Sequence, residues 1–444
     1  MQTPEEKLER PASLEYQSYD AELNQDKSLH VPIPWITYRY AYYAQAIIMS
    51  MLLMNVPVFL RQALTLDWVV LATSFIAIYS PVLFRPIFAW GADSHPKKIA
   101  IMLASGTVFV VLGSIGASVS ALYGVDGTLG IICGLCLAVV GATFLNVAAD
   151  SHIVRTVALS LSARVNSQKR IAAFVGIFTG QVLFTVLVGI NLAEFTKWAV
   201  YFALAGILTG GIFAVIMLIN RSWRWLPDVS NCPPTQQAQM KEPQKHVTRI
   251  PSLKVMIILL VISFLYNLPE GFVETTFENF IVDSYSANAL IVYSFIIVFG
   301  GILGVFGFWL AGRSKPPSPE RDFYWLLPLV IIYYILLSFI LPFTVTIGIT
   351  LGIQIIGSFI QVRFLQSWHR YSHPVKPGLT FQFYVVIFQL GKLCGIGFSG
   401  QIMLGVGYEG LFLMAAGILV IPLILVLIFS KITNKIVNKK STPK

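Results

Sequence analysis

The chain has 444 residues, of which 56% are hydrophobic and only 12% charged. Soluble domains carry about 25% charged residues, so this composition excludes a water-facing exterior and requires lipid over most of the surface. The net charge of +10 does not indicate a nucleic-acid binder, because the bases form short clusters between long apolar runs, as topology signals do.

Residues 1–35 read as a cytoplasmic tail without a signal peptide; the first 34 hold seven acids and three bases. A bilayer core needs about 20 apolar residues per helix. Apolar runs of that length predict six spans in an N-terminal half, 36–220: 38–60, 66–90, 98–122, 128–154, 170–193 and 197–219. A polar stretch, 221–252, has linker composition. A C-terminal half, 253–430, holds six more spans: 253–280, 287–312, 323–343, 345–366, 378–401 and 407–430. A basic tail, 431–444, follows.

With both termini cytoplasmic, 28 of the 31 Lys and Arg residues fall on the cytoplasmic side, Arg61 and Lys197 fall outside, and Lys392 lies within a span. That asymmetry supports an even number of spans and places the protein in a membrane, expected to be the plasma or inner membrane, as a multi-pass chain. The halves share weak self-similarity at an offset of 210–220 residues. Asn55-Val-Pro57 matches Asn267-Leu-Pro269, Ala92-Asp93-Ser94-His95-Pro96 matches Gly312-Arg313-Ser314-Lys315-Pro316, and Ile177-Phe178 matches Ile387-Phe388. Parallel six-span repeats put a solute cavity between the halves near the midplane.

After span 2 the chain reads Arg85-Pro86-Ile87-Phe88-Ala89-Trp90-Gly91-Ala92-Asp93-Ser94-His95-Pro96-Lys97-Lys98. Asp93 and the Lys97-Lys98 pair resemble the loop motif of the major facilitator superfamily, although Ala89 replaces its usual glycine and Ser94 a frequent base. Arg85-Pro86, Ala92-Asp93 and Pro96, with Asp150 near the end of span 4, are similar to the folate–biopterin transporter branch. The resemblance implies an all-α fold of twelve transmembrane helices in two six-helix pseudo-repeats, and a transported solute of folate or pterin type. Asp93 at a helix end is suited to a conformational latch, accepting hydrogen bonds from backbone amides or from Arg155 or Arg164. An ordinary helix cap beside a basic loop fits the same residues. Arg85, Lys97, Asp150 and Arg155 complete the candidate gate; for Asp150 a local salt bridge with Arg155 is as good a reading.

Charge inside a span is expensive, about 2.5–3.5 kcal/mol for a central Lys or Asp on insertion scales. Lys392 therefore stands out, in the middle of span 11 and beyond easy reach of either interface. It is placed to bind an anionic group, or to pair with an acid of span 7. There Glu270, Glu274 and Glu278 recur every four residues and share a helix face with Asn267. Pro269 and Gly271 predict a bend or local opening of the helix, and Glu270, the deepest, is the candidate proton carrier. A structural ion pair is the plainer reading of the same charges. Gln45, Asn55, Gln181 and Gln389, with Gln354 and Gln361, offer amides to a ligand or hydrogen bonds between helices.

Cys133 and Cys136 sit in an apolar helix without a second pair and read as packing residues. The literal dinucleotide fingerprint Gly395-Ile-Gly397-Phe-Ser-Gly400 lies within an apolar span with no preceding strand. Gly176/Gly180, Gly206/Gly210 and Gly300/Gly304 read as close helix packing. No catalytic cluster, metal site or nucleotide-binding motif is evident, so no enzymatic activity and no cofactor are expected. The expectation is a secondary transporter of a small organic anion, working by alternating access with protons as coupling ion. The alternative is a non-transporting assembly factor or receptor on the same scaffold.

Overall fold

The computed structural model describes residues 35–51, 56, 59–60, 64, 74, 76–94, 96–157, 162–190, 192–219, 253–285, 287–314, 319–373 and 376–441. The N-terminal tail, the 221–252 linker, Asn55 and Arg61 lie outside them. In hydrocarbon every backbone amide must find its partner within the chain, and helices achieve this locally. The described residues accordingly form helices joined by short turns. They are α1 (Trp35–Ser50), α2 (Arg85–Ser94), α3 (Pro96–Ala121), α4 (Thr128–Thr156), α5 (Ser162–Gly189) and α6 (Glu194–Ile219). The second set is α7 (Leu253–Tyr285), α8 (Ala287–Arg313), α9 (Phe323–Leu337), α10 (Phe343–Arg370), α11 (377–406) and α12 (408–441). The last two form one apolar run, Pro377–Ser441, broken only at Gly407, whose φ of 67° is open to a residue lacking Cβ. Each predicted span overlaps a helix among the described residues, although residues 66–73 and 75 of span 2 lie outside them.

Span 12 runs on to Ser441, through most of the expected basic tail, and span 5 departs from expectation at its start. Nothing between Ser162 and Ile171 breaks a helix, so α5 starts at Ser162 and ends at Gly189. Lys169 and Arg170, expected in a loop, lie two turns inside it. Span 10, predicted to end at 366, runs four residues further to Arg370.

The two halves repeat one another in their packing. In the first, α1 packs on α5, α2 on α4, and α3 on α6; in the second, α7 packs on α11, α8 on α10, and α9 on α12. Lipid tails are as apolar as the helices, so close approach over small residues drives their association. A Cβ on Gly176 or Gly180 would meet the carbonyls of Tyr43 or Ile47 on α1. A Cβ on Gly391 or Gly395 would meet the carbonyls of Phe264 or Leu268 on α7. Gly176 and Gly391 are 215 residues apart, as are Gly180 and Gly395, while their partners on α1 and α7 are 221 apart. The repeat is therefore carried by glycines. The Ile-Phe match at 210 and the Asn-x-Pro match at 212 are out of this crossing register.

Each half has its own apolar core. Phe59, Trp198, Tyr201 and Phe202 cluster in the first, and Phe364, Trp368, Tyr384 and Phe388 in the second. Leu393 and Ile396 of α11 pack against the first core, and Val154 of α4 belongs to the second. These crossings mark where the halves touch. Below, the basic face is the one carrying residues 93–98, 157–162, 314–319 and 371–377.

Candidate functional site

Lys392 lies at the middle of α11, and Glu270 at the middle of α7. Lys392 Nζ is 3.6 Å from Glu270 Oε1, and the two side chains are 16% and 38% exposed. The glycine crossing sets this geometry. A Cβ on Gly395 would lie 2.9 Å from Gly271 Cα, so the backbones at this level are in contact. The expected pairing of Lys392 with a span-7 acid is thus present. α7 remains helical through Pro269, so the expected local opening is absent. Asn267 is fully buried and donates from Nδ2 to the Phe388 carbonyl at 2.8 Å, as a strut between α7 and α11. Gln181 plays the matching part in the first half, its Nε2 donating to Ser50 Oγ at 3.2 Å. Gln45 is buried in α1 and Gln389 half-buried in α11. Glu274, Lys97 and Arg155 belong to α7, α3 and α4, but their side chains lie outside the described residues.

The basic face holds a second, denser set. Asp93, at the end of α2, accepts a hydrogen bond at 2.7 Å from the Leu379 amide, in the first turn of α11. Gly378 permits the approach, since a Cβ there would lie 2.6 Å from Asp93 Oδ1 and 2.7 Å from Ser151 Oγ. A free amide and the positive end of the helix dipole both favour a carboxylate here. Asp93 therefore caps a helix of the opposite half, the backbone-amide option among those open to it.

Asp150 is the hub of this face. Its Oδ1 accepts from Tyr42 Oη at 2.5 Å and pairs with Lys169 Nζ, while Oδ2 accepts from Gln382 Nε2 at 3.0 Å. Tyr42 and Lys169 belong to the first half, and Gln382 to the second. Arg85 and Arg170 stand within electrostatic reach of Asp150. The described partner of Asp150 is thus Lys169, from another helix. Further ties join the halves here. Ser167 Oγ donates to the Phe308 carbonyl at 2.6 Å, buried His369 of α10 belongs to this face, and Lys376 Nζ lies 5.9 Å from the Trp90 ring centre.

Arg170 connects the two sets. It stands within electrostatic reach both of Asp150 and of Glu270 in the opposite half. Sequence reasoning missed Tyr42, Lys169, Arg170 and Gln382. The available signal was the unbroken helical stretch from Ser162, which carries both bases into the membrane. Arg363 was missed too. It is fully buried within the second half and donates to Asp322 Oδ2 at 2.5 Å and to Gln366 Oε1 at 2.8 Å. It ties α10 to the approach to α9 and has no part in the interface.

Among the described residues no group of His, Cys, Asp and Glu is arranged to hold a metal ion. Neither a protein-family model nor a curated protein matches the sequence. Solved structures do match the fold. The human organic anion transporter MFSD10 (TETRAN) superposes with TM-score 0.64 at 13% identity, over 89% of this chain and 99% of that one. The major facilitator superfamily transporter FucP, in its outward conformation, gives 0.65 at 14% identity, over 90% and 99%. The proton:xylose symporter XylE, bound to 6-bromo-6-deoxy-D-glucose, gives 0.70 at 10% identity, over 89% and 94%. None of these three is a folate or pterin transporter by name, so the narrower branch resemblance gains no support. The chain is an integral, multi-pass membrane protein with the major facilitator fold.

Proposed function

We propose that this protein is a secondary transporter that moves a small organic anion by alternating access, with protons as the coupling ion. The observation that carries the reading is the Lys392–Glu270 pair. It is held at mid-membrane, is partly exposed, and has Arg170 of the other half within electrostatic reach of Glu270. Charges at this depth are retained for function by default. A pair separated by 3.6 Å is loose enough for a solute carboxylate to take Lys392 while Glu270 takes a proton. The sign of the solute follows from balance: Arg85, Lys169, Arg170 and Lys392 face Asp150 and Glu270 among the described side chains. A folate or pterin identity rests on the loop resemblance alone.

The 28-to-2 distribution of bases supports cytoplasmic termini. The basic face is then the cytoplasmic one, and its ties between halves correspond to a state closed to the cytoplasm. Asp93, Asp150, Ser167 and His369 act as the gate that breaks when the halves rock.

Uptake of radiolabelled carboxylates into reconstituted vesicles tests this. Uptake should follow an imposed proton gradient and be lost in Lys392→Met and Glu270→Gln at equal expression. Unimpaired uptake in both variants would refute these roles. A stoichiometric membrane partner with no flux would instead indicate the assembly-factor alternative.

A further inference from the structure

The Asp150 cluster holds more positive charge than it neutralises. Arg85, Lys169 and Asp150 are each at least nine-tenths buried, and Arg170, next to Lys169 in α5, is within electrostatic reach of Asp150. Both Asp150 oxygens are committed to Tyr42, Lys169 and Gln382. Arg85 Nε and Arg170 Nε, both buried, have no hydrogen-bond partner, and neither has the buried Asn166 Nδ2. Asn166 lies three and four residues before Lys169 and Arg170, on the same face of α5. A buried charge left without a partner is strongly unfavourable, so surplus buried cations call for a further anion. A guanidinium fork suits a carboxylate or a tetrahedral oxyanion, which accepts two parallel hydrogen bonds.

We propose that Arg85, Lys169 and Arg170 form a second anion site on the basic side of Lys392, where the solute's negative group competes with Asp150 for the same cations. This rests on the anionic-solute reading above and adds a consequence for the gate. An anion between the arginines takes over part of the counter-charge that Asp150 supplies. The hold of the first half on Asp150 changes, and with it the Asp150–Gln382 hydrogen bond that joins the halves. Arg170, in reach of Glu270 as well, passes the anion from the midplane site to the inner one. Ligand arrival therefore biases the gate through differential interaction with its two states.

The test uses the full-length protein in detergent with sulfate as probe. Thermal unfolding midpoints are followed against sulfate, with chloride at equal ionic strength as control. A saturable rise is expected in the wild type, at concentrations below those where sulfate stabilises proteins by exclusion. It should persist in Lys392→Met and vanish in Arg85→Gln and Arg170→Gln. If either glutamine variant fails to fold, Arg85→Lys and Arg170→Lys keep the charge and lose the fork, and their apparent sulfate affinity should fall at least about tenfold. No saturable rise in the wild type, or an unchanged rise in the arginine variants, overturns the inner site. Loss of the rise in Lys392→Met alone places the anion at the midplane and also overturns it. The sulfate response stands or falls separately from proton-driven uptake, so failure of one reading is distinguishable from failure of the other.

Discussion

Two lysine–carboxylate pairs lie between the helices, and they are built differently. Lys169–Asp150 is buried, in hydrogen-bond contact, and surrounded by Tyr42 and Gln382. Lys392–Glu270 is 3.6 Å apart and partly exposed. The first pair spends its hydrogen-bonding capacity on protein, as a latch must. The second is longer and partly open to solvent, as the proposed binding role requires. Desolvation separates the two: a buried charge tolerates no missing partner, whereas a half-exposed one is partly solvated.

The largest effect should come from breaking the tight pair. Asp150→Ala leaves Lys169, Arg85 and Arg170 without their acid and should destabilise the protein by about 3–5 kcal/mol, read as a lower unfolding midpoint and a smaller folded yield. An unchanged midpoint would mean that the cluster is solvated and the contrast unfounded. Overpacking the glycine crossing comes next. Gly395→Leu pushes a side chain into the Leu268 carbonyl and should cost about 1–3 kcal/mol while widening the gap between Lys392 and Glu270. Full stability in that variant would show that α7 and α11 do not meet there.

Asp93→Ala removes a cap from the first turn of α11, worth about 1 kcal/mol. Hydrogen exchange should then rise at the Leu379 amide, with the ties between halves weakened together. Protection identical to the wild type would place Asp93 outside the gate. Smallest of all, Lys392→Met should change the midpoint little, because an apolar group of similar length replaces a partly exposed charge. A loss as large as that of Asp150→Ala would make the midplane pair structural and collapse the distinction.

The sequence disclosed the spans and the midplane pair for the same reason: charge is rare in hydrocarbon, so Lys392, Glu270 and the clustered bases are conspicuous. It concealed the inner cluster because Lys169 and Arg170 adjoin a predicted helix end, where bases are routine. Only the helix start at Ser162, eight residues before the predicted boundary, carries them inward. Gln382 and Tyr42 bear no net charge and gave no signal until folding brought them to Asp150. Asp93 was visible as a cap, but its partner, an amide 286 residues away, was not. The repeat was sensed at the right distance from motifs out of register, because glycines that permit backbone contact look ordinary in an apolar run.

The contact of Gly271 with Gly395 has a mechanical consequence. Two helices touching backbone to backbone have no compliant side-chain layer between them and cannot slide without a clash. α7 and α11 therefore travel as one stiff lever, and the Lys392–Glu270 pair rides on it with its spacing preserved. In the proposed rocking cycle, what varies is the distance from that lever to Arg170 on the opposite half. The moving part of the charge circuit is then the arginine contributed from across the gap, closing and opening like a switch against a fixed terminal.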